Sequence, residues 1–241
     1  MKNILCKLVS VIAITVLLTS CIRIVSIRGN GDLKSFEMSV SSFEKIKSSG
    51  SWDIRFHESR DYRVIVTIDS NLEEYVDIYT KNNTLHIEMK NDWGNKTIIF
   101  TKYVVDVYCP VLMGVTLSGS EKFEGIDEIV APLFDVVITG SGKVNGRFNC
   151  KNFSTKISGS GNITVSGISN YTDITISGSG NFNGSNFSTK NASINVSGSG
   201  KVSICVSDNL NATISGSGKI TYCGSPVVNS KISGSGTIKK M

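Results

Sequence analysis

Seven times between Leu117 and Ile238 the chain returns to one short phrase: LSGSEKF at 117, ITGSGKV at 138, ISGSGNI at 157, ISGSGNF at 176, VSGSGKV at 196, ISGSGKI at 214 and ISGSGTI at 232. The intervals are 21, 19, 19, 20, 18 and 18 residues. A period near twenty marks a solenoid, in which each unit buries its apolar side only by stacking on its neighbours. Gly-Ser runs are commonly flexible linkers, but a linker has no reason to hold apolar residues in register with its glycines. Here every copy has an aliphatic residue before the Ser/Thr-Gly pair. Six copies repeat an apolar residue after the corner: Val144, Ile163, Phe182, Val202, Ile220 and Ile238.

Within each unit the apolar residues alternate with polar ones, as in Phe134, Val136, Ile138 and in Leu210, Ala212, Ile214. That period of two predicts half-buried strands. About nineteen residues at ~3.3 Å each give a coil perimeter for three short strands and their corners, so the expected fold is all-β, a parallel β-helix with rungs of 18–21 residues. Leucine-rich repeats share the period but need several Leu per unit, and the Gly, Ser and β-branched content argues against helical repeats. Stacked corners lie only ~4.8 Å apart, which assigns the corner glycines a role: Gly119, the pairs Gly140 and Gly142, Gly159 and Gly161, Gly178 and Gly180, Gly198 and Gly200, Gly216 and Gly218, and Gly234 and Gly236. They permit positive φ and close backbone approach. The serine hydroxyls are expected to bond along the ladder or to the turning backbone.

Residues 36–116 lack the regular phrase yet read as strands: WDIRF, YRVIVTI, YVDIYT, TLHIEMK and YVVDVYC. IKSSGSWDI, from Ile46 to Ile54, reads as a divergent first corner. The expectation is one β-helical domain over 36–241, with an irregular part at 36–116 capping the amino end and regular rungs at 117–238. Ahead of it, Lys2 and Lys7 lead into an apolar run, Leu8 to Leu18, ending in Leu18-Thr19-Ser20-Cys21. This predicts a signal peptide over 1–20 and a lipobox-like cleavage site with Cys21 as the acylated first residue of the mature chain, followed by a linker over 21–35. The formal charge of +5 becomes +3 once Lys2 and Lys7 are lost with that segment. The remaining charges are interspersed and too mild for a nucleic-acid footprint.

Of the six cysteines, Cys6 falls in the signal segment and Cys21 takes lipid; Cys109, Cys150, Cys205 and Cys223 show no C-x-x-C spacing and no nearby His. No zinc site, other metal or cofactor is expected. Cys205 and Cys223 each follow the last corner glycine by five residues and so occupy equivalent sites on successive rungs. Because side chains in register point the same way, two adjacent thiols are expected there rather than a bond. Polysaccharide-cutting β-helices cluster acidic residues on one strand face, whereas Asp127, Asp135, Asp173 and Asp208 stand at different offsets from their corners. GSGK at 140–143 and 216–219 lacks the upstream glycine and following Ser/Thr of a phosphate loop. The abundant serines lack a base, since both histidines, His57 and His86, fall in the early half. Trp93, in the polar stretch NDWGNK, either packs against the amino-terminal cap or stacks on a sugar ring.

Over residues 36–238 the chain resembles the bacterial family described as putative auto-transporter adhesin, head GIN domain. The likeness rests on Phe43-x-x-Ile46, Ser49-Gly50, WDI at 52–54, Asn71-Leu72 before TLHI, Pro110 before LSGS, and the SGSG corners. It implies a right-handed β-helix in an extracytoplasmic setting, common in lipoproteins of Bacteroidota, and it supplies no catalytic residues. Surface lipoproteins of that group often carry acidic residues after the lipidated Cys; here none precedes Asp32. The expected placement is therefore an outer-membrane lipoprotein facing the periplasm, with surface display as the alternative. The expected function is a non-enzymatic, membrane-anchored binding or structural module that offers ladders of Ser, Thr, Asn and Lys to a glycan, envelope polymer or protein. The alternatives are a polysaccharide-acting enzyme and an accessory to envelope signalling.

Overall fold

The structure, a computed structural model, describes residues 25–90 and 96–241. It is a β-solenoid of about seven turns. Cys21 and Trp93 lie outside the described residues. The regular rungs are long strands that bend as they circle the core: Lys143–Gly159, Asn162–Gly178, Asn181–Gly198 and Lys201–Gly216. Neighbouring rungs pair in parallel, residue for residue, so that one sequence position becomes one column along the axis. After the corner the core column runs Ile54, Phe123, Val144, Ile163, Phe182, Val202, Ile220. Before the corner it runs Leu117, Ile138, Ile157, Ile176, Val196, Ile214. All of these are buried, and at about 1.5–3 kcal/mol for each aliphatic side chain they supply the main driving force for stacking.

The two glycines of each corner serve different needs. Gly159 and its equivalents at 140, 178, 198, 216 and 234 have φ between +115° and +123°, a region L side chains avoid. A Cβ at Gly159 would also stand 2.6 Å from the Gly140 carbonyl oxygen of the rung below. Gly161 has ordinary φ but no room, because the Ile138 Cγ2 of the preceding rung lies 2.7 Å from where its Cβ would be. The same fit recurs as Gly180 with Ile157, Gly200 with Ile176, Gly218 with Val196 and Gly236 with Ile214. The aliphatic residue and the second glycine are thus two halves of one contact between rungs. Backbone bonds hold the corners: Ser160 N–H donates to Gly140 O at 2.9 Å, and Asn162 N–H to Gly142 O at 2.9 Å, with equivalents at the following corners, while a hydroxyl bond along the ladder is made at the first corner, from Ser49 Oγ to Ser118 O at 3.4 Å.

At the first corner this contact is inverted. In register, Ser48 takes the place of Leu117, and Trp52 takes the column that holds Glu121 and then Gly142. The small residue precedes the corner, and the large one follows it. The Trp52 ring covers Gly50, and its Nε1–H donates to Ser48 Oγ at 2.9 Å.

The amino-terminal part caps the solenoid by folding back. Strand Asp53–Glu58 pairs on one side with Lys122–Gly125 of the next rung and on the other with Tyr103–Cys109, which comes later in sequence. Beyond it the sheet turns antiparallel: Arg63–Asp69 lies against Tyr103–Cys109, and Leu33–Met38 against Arg63–Asp69. The expected linker at 21–35 therefore carries structure, since Leu33–Met38 belongs to the sheet and Val25–Arg28 pairs with Lys96–Ile99. Asp69 fastens this small pair to the core. Its buried carboxylate accepts Gly31 N–H and Thr101 N–H, both at 2.8 Å.

Cys205 and Cys223 stand in register with Cα atoms 4.5 Å apart and are joined by a disulfide, not left as two thiols. Cys223 ends its strand, the pairing of that strand to Thr237–Lys240 stops at Tyr222, and Gly224 turns away with φ +93°. The ladder holds Cys223 from one side only, so its side chain is free to turn toward Cys205. In the last rung the columns continue through Val228, Ile232 and Ile238 with no described strand paired beyond them, and the strand Val227–Ser233 is exposed throughout.

Candidate functional site

The outward residues of the rungs also form columns, and between adjacent columns lie furrows running along the axis. The larger, of about 1040 Å³, spans six rungs from Val130 to Gly224. At ~4.8 Å per step it is about 24 Å long. One wall is the column Val130, Asn149, Ile168, Ser188, Cys205, Cys223. The floor is the next column, Ala131, Cys150, Ser169, Thr189, Val206, all buried. The opposite rim carries Pro132, Lys151, Asn170 and Lys190. Val130 and Ile168 are more than half exposed, at 58% and 54%.

The floor is less polar than its sequence suggests. Ser169 Oγ is 2.7 Å from Thr172 Oγ1 and bonds Thr189 Oγ1 at 2.8 Å, and Thr189 Oγ1 donates to the Asn191 carbonyl at 3.1 Å. These hydroxyls are engaged with one another and with the backbone. Cys150 is a free thiol in the same column, and burial pushes it up to about 11.

The second furrow, of about 590 Å³, lies on the adjoining face and is lined mostly by polar residues. Its walls are the columns Asn152, Tyr171, Asn191, Asn209 and Ser154, Asp173, Ser193, Asn211. Asn209 Nδ2 donates to Asn191 Oδ1 across the rungs at 2.8 Å. Such a bond leaves each amide further donors and acceptors for a ligand. Tyr171 is 59% exposed on the same face.

Neither furrow brings together a catalytic set. The polar one is lined by a single carboxylate, Asp173, and the larger one by none. His57 lines neither. Its Nε2 meets Asp106 Oδ1 at 2.9 Å, and its ring stacks on Tyr108, over which the Arg63 guanidinium lies at 4.3 Å. His86 pairs with Glu88 and stacks on Tyr79. Among the described residues no group of three or more His, Cys, Asp or Glu is placed to hold a metal. Glu121 is the buried carboxyl of the corner column. Its Oε1 accepts Gly50 N–H at 2.6 Å, and burial raises its pKa.

Of the residues singled out in sequence, the corner glycines line up in two columns, and Cys205 and Cys223 line the wall of the larger furrow at its last two rungs. The furrow residues Val130, Lys151, Ile168, Tyr171 and Lys190 were not anticipated. Their signal is present only when positions are compared rung against rung.

Comparisons with known proteins agree with this geometry. The family model described as putative auto-transporter adhesin, head GIN domain, matches residues 42–226. The crystal structure of a putative adhesin from Bacteroides fragilis superposes with a TM-score of 0.82 at 21% identity, covering 89% of this chain and 100% of that one. A putative lipid binding protein from Parabacteroides distasonis gives a TM-score of 0.75 at 27% identity, covering 90% and 99%. A putative adhesin from the same organism gives 0.72 at 26% identity, covering 90% and 100%. No curated protein matches the chain.

Proposed function

Since the chain belongs to the putative auto-transporter adhesin, head GIN domain family, we propose that it is a non-catalytic, adhesin-like binding module of the cell envelope, anchored through lipid on Cys21, whose polar furrow holds an extended glycan. The observation that carries this reading is the periodic wall of Asn152, Tyr171, Asn191 and Asn209. Amide donors and acceptors stand on three of the four rungs, and an exposed aromatic ring on the other. A polymer lying along the axis meets one of these groups at each ~4.8 Å step, and a ring in a groove lined by polar residues gives the flat apolar surface on which a sugar stacks. The solved relatives described as putative adhesins are consistent with a binding role. The scarcity of carboxylates in both furrows disfavours the enzymatic alternative.

The test is a glycan array probed with residues 25–241, which contain every described strand and the core. One family of extended glycans is expected to bind, and Tyr171→Ala should weaken it about tenfold, as loss of a stacking ring does. An array silent for the wild-type protein, or binding indifferent to Tyr171→Ala and Asn191→Ala together, would overturn the assignment of this face. Anchoring is tested separately. Metabolic labelling with a fatty acid should mark the full-length protein and not Cys21→Ala.

A further inference from the structure

The larger furrow is distinct from the proposed glycan face in chemistry, and its residues point to another ligand. We propose that it binds the extended hydrocarbon chain of a long-chain fatty acid, with the carboxylate held at the Lys151–Lys190 rim. A sugar needs free donors and acceptors, yet the floor hydroxyls of Ser169 and Thr189 are engaged with one another and with the backbone. The wall meanwhile exposes Val130 and Ile168, two rungs or ~9.6 Å apart. Exposed aliphatic residues gathered in one concavity mark a binding surface.

The charge pattern selects the head group. Lys151 and Lys190 stand on the rim two rungs apart, no acidic residue lines the furrow, and neither lysine takes part in the ion pairs found among the described residues. The dimensions agree. From Lys151 on the second rung to Cys223 on the sixth is four steps, about 19 Å, more than the ~15 Å of one leaflet of a bilayer core, so an acyl chain whose head is at Lys151 lies flat along the furrow. The volume is near the upper end of ordinary small-molecule sites. The Cys205–Cys223 disulfide lines the wall at the last two rungs with polarisable, apolar sulfur.

The experiment uses residues 25–241 and palmitate labelled with 13C at the carboxyl, kept below its aggregation threshold. Binding is followed by calorimetry and by the carboxyl resonance. Saturable one-to-one binding is expected. Ile168→Asn should weaken it at least about tenfold, through loss of apolar contact, and its exposed position leaves the thermal melt unchanged. Lys151→Glu with Lys190→Glu should weaken palmitate several-fold, more so at low salt, and leave the uncharged hexadecanol unaffected. No saturable binding, or binding that ignores Ile168→Asn, overturns the proposal. Retention on phosphatidylglycerol vesicles without palmitate binding would make a membrane surface the occupant instead. Self-association that buries Ile168 would make it a second copy, and either result refutes a fatty-acid site. The Tyr171→Ala variant should bind palmitate normally, which separates failure here from failure of the glycan reading.

Discussion

Replacing Gly159 by Ala should be far more damaging than adding one methyl group normally is, and no change in a neighbouring side chain should rescue it. The backbone there has φ +122°, which costs a residue with a Cβ about 1–3 kcal/mol. The new methyl would also stand 2.6 Å from Gly140 O and 3.3 Å from Gly140 C. Those atoms are fixed by the ladder bond from Ser160 N–H, so relieving the overlap costs about 1–3 kcal/mol more. Restriction of the unfolded chain by Ala returns about 0.4–1 kcal/mol. A net loss of about 1–6 kcal/mol remains. Gly161→Ala is the control, since its clash is with the Ile138 Cγ2 at ordinary φ, and Ile138→Leu removes that branch. Equilibrium urea unfolding of residues 25–241 should show Gly161→Ala and Ile138→Leu coupling favourably by about 1 kcal/mol or more, and Gly159→Ala failing to couple with Ile138→Leu. A Gly159→Ala protein as stable as the wild type, or one rescued at Ile138, would refute the claim that the first glycine answers to backbone and the second to a side chain.

Burial raises the Glu121 carboxyl above its ordinary value of 4.5, so the folded state holds that proton longer than the unfolded chain, and this group's contribution to stability falls as pH rises from about 4.5 through the folded value. Glu121→Gln should therefore gain stability relative to wild type at pH 7 and lose the advantage near pH 4; a difference in urea midpoint that is the same at both pH values would contradict this. Asp69 behaves oppositely. Its burial acts to raise the pKa, but the amide bonds from Thr101 and Gly31 prevail and lower it below 3.8, so its stabilisation is present above the unfolded value and lost as pH falls through the folded one. Asp69→Asn should cost about 1.5–3 kcal/mol at pH 7, the range for hydrogen bonds to a charged group, and progressively less in acid. Limited proteolysis should then cut first near Gly29–Asp32, and unchanged resistance at pH 7 would count against the fastening role. Opening the disulfide by Cys205→Ser with Cys223→Ser releases a link across 18 residues and should cost about 3 kcal/mol by loop entropy. Thiol titration of unreduced, denatured residues 25–241 should find only Cys109 and Cys150, and four reactive thiols would show the bond absent.

The sequence made the regular rungs legible because an in-register parallel stack converts a period in sequence directly into a column in space. Ile138 and Gly161 are 23 residues apart, yet the recurrence of aliphatic residue and second glycine in copy after copy records their contact. Where the stack departs from sequence order, that record fails. Tyr103–Cys109 lies outside Asp53–Glu58 although it follows it, and no local pattern tells a strand to fold back past an earlier one. The first corner was recognisable from Ser49-Gly50, but the exchange of Leu-and-Gly for Ser48-and-Trp52 was not, because it is one contact with its large and small partners transposed. The furrows were hidden for a related reason. Val130, Lys151, Ile168 and Lys190 are each unremarkable surface residues alone, and they become neighbours only through the register. The register itself shifts between Gly184 and Ser188, where one rung spends extra residues before rejoining its neighbour. It shifts again between Thr189 and Asn191, so a count from the preceding corner and a count back from the following one both set Ser188 against the wrong residue of the next rung. In a solenoid, then, the core follows from the repeat, but the binding faces follow from the irregularities superimposed on it: an exposed isoleucine here, a tyrosine there, two lysines on one rim. A chain with flawless repeats would have uniform faces and nothing to distinguish one ligand from another. The departures from the repeat are therefore where substitutions should alter binding without altering the fold.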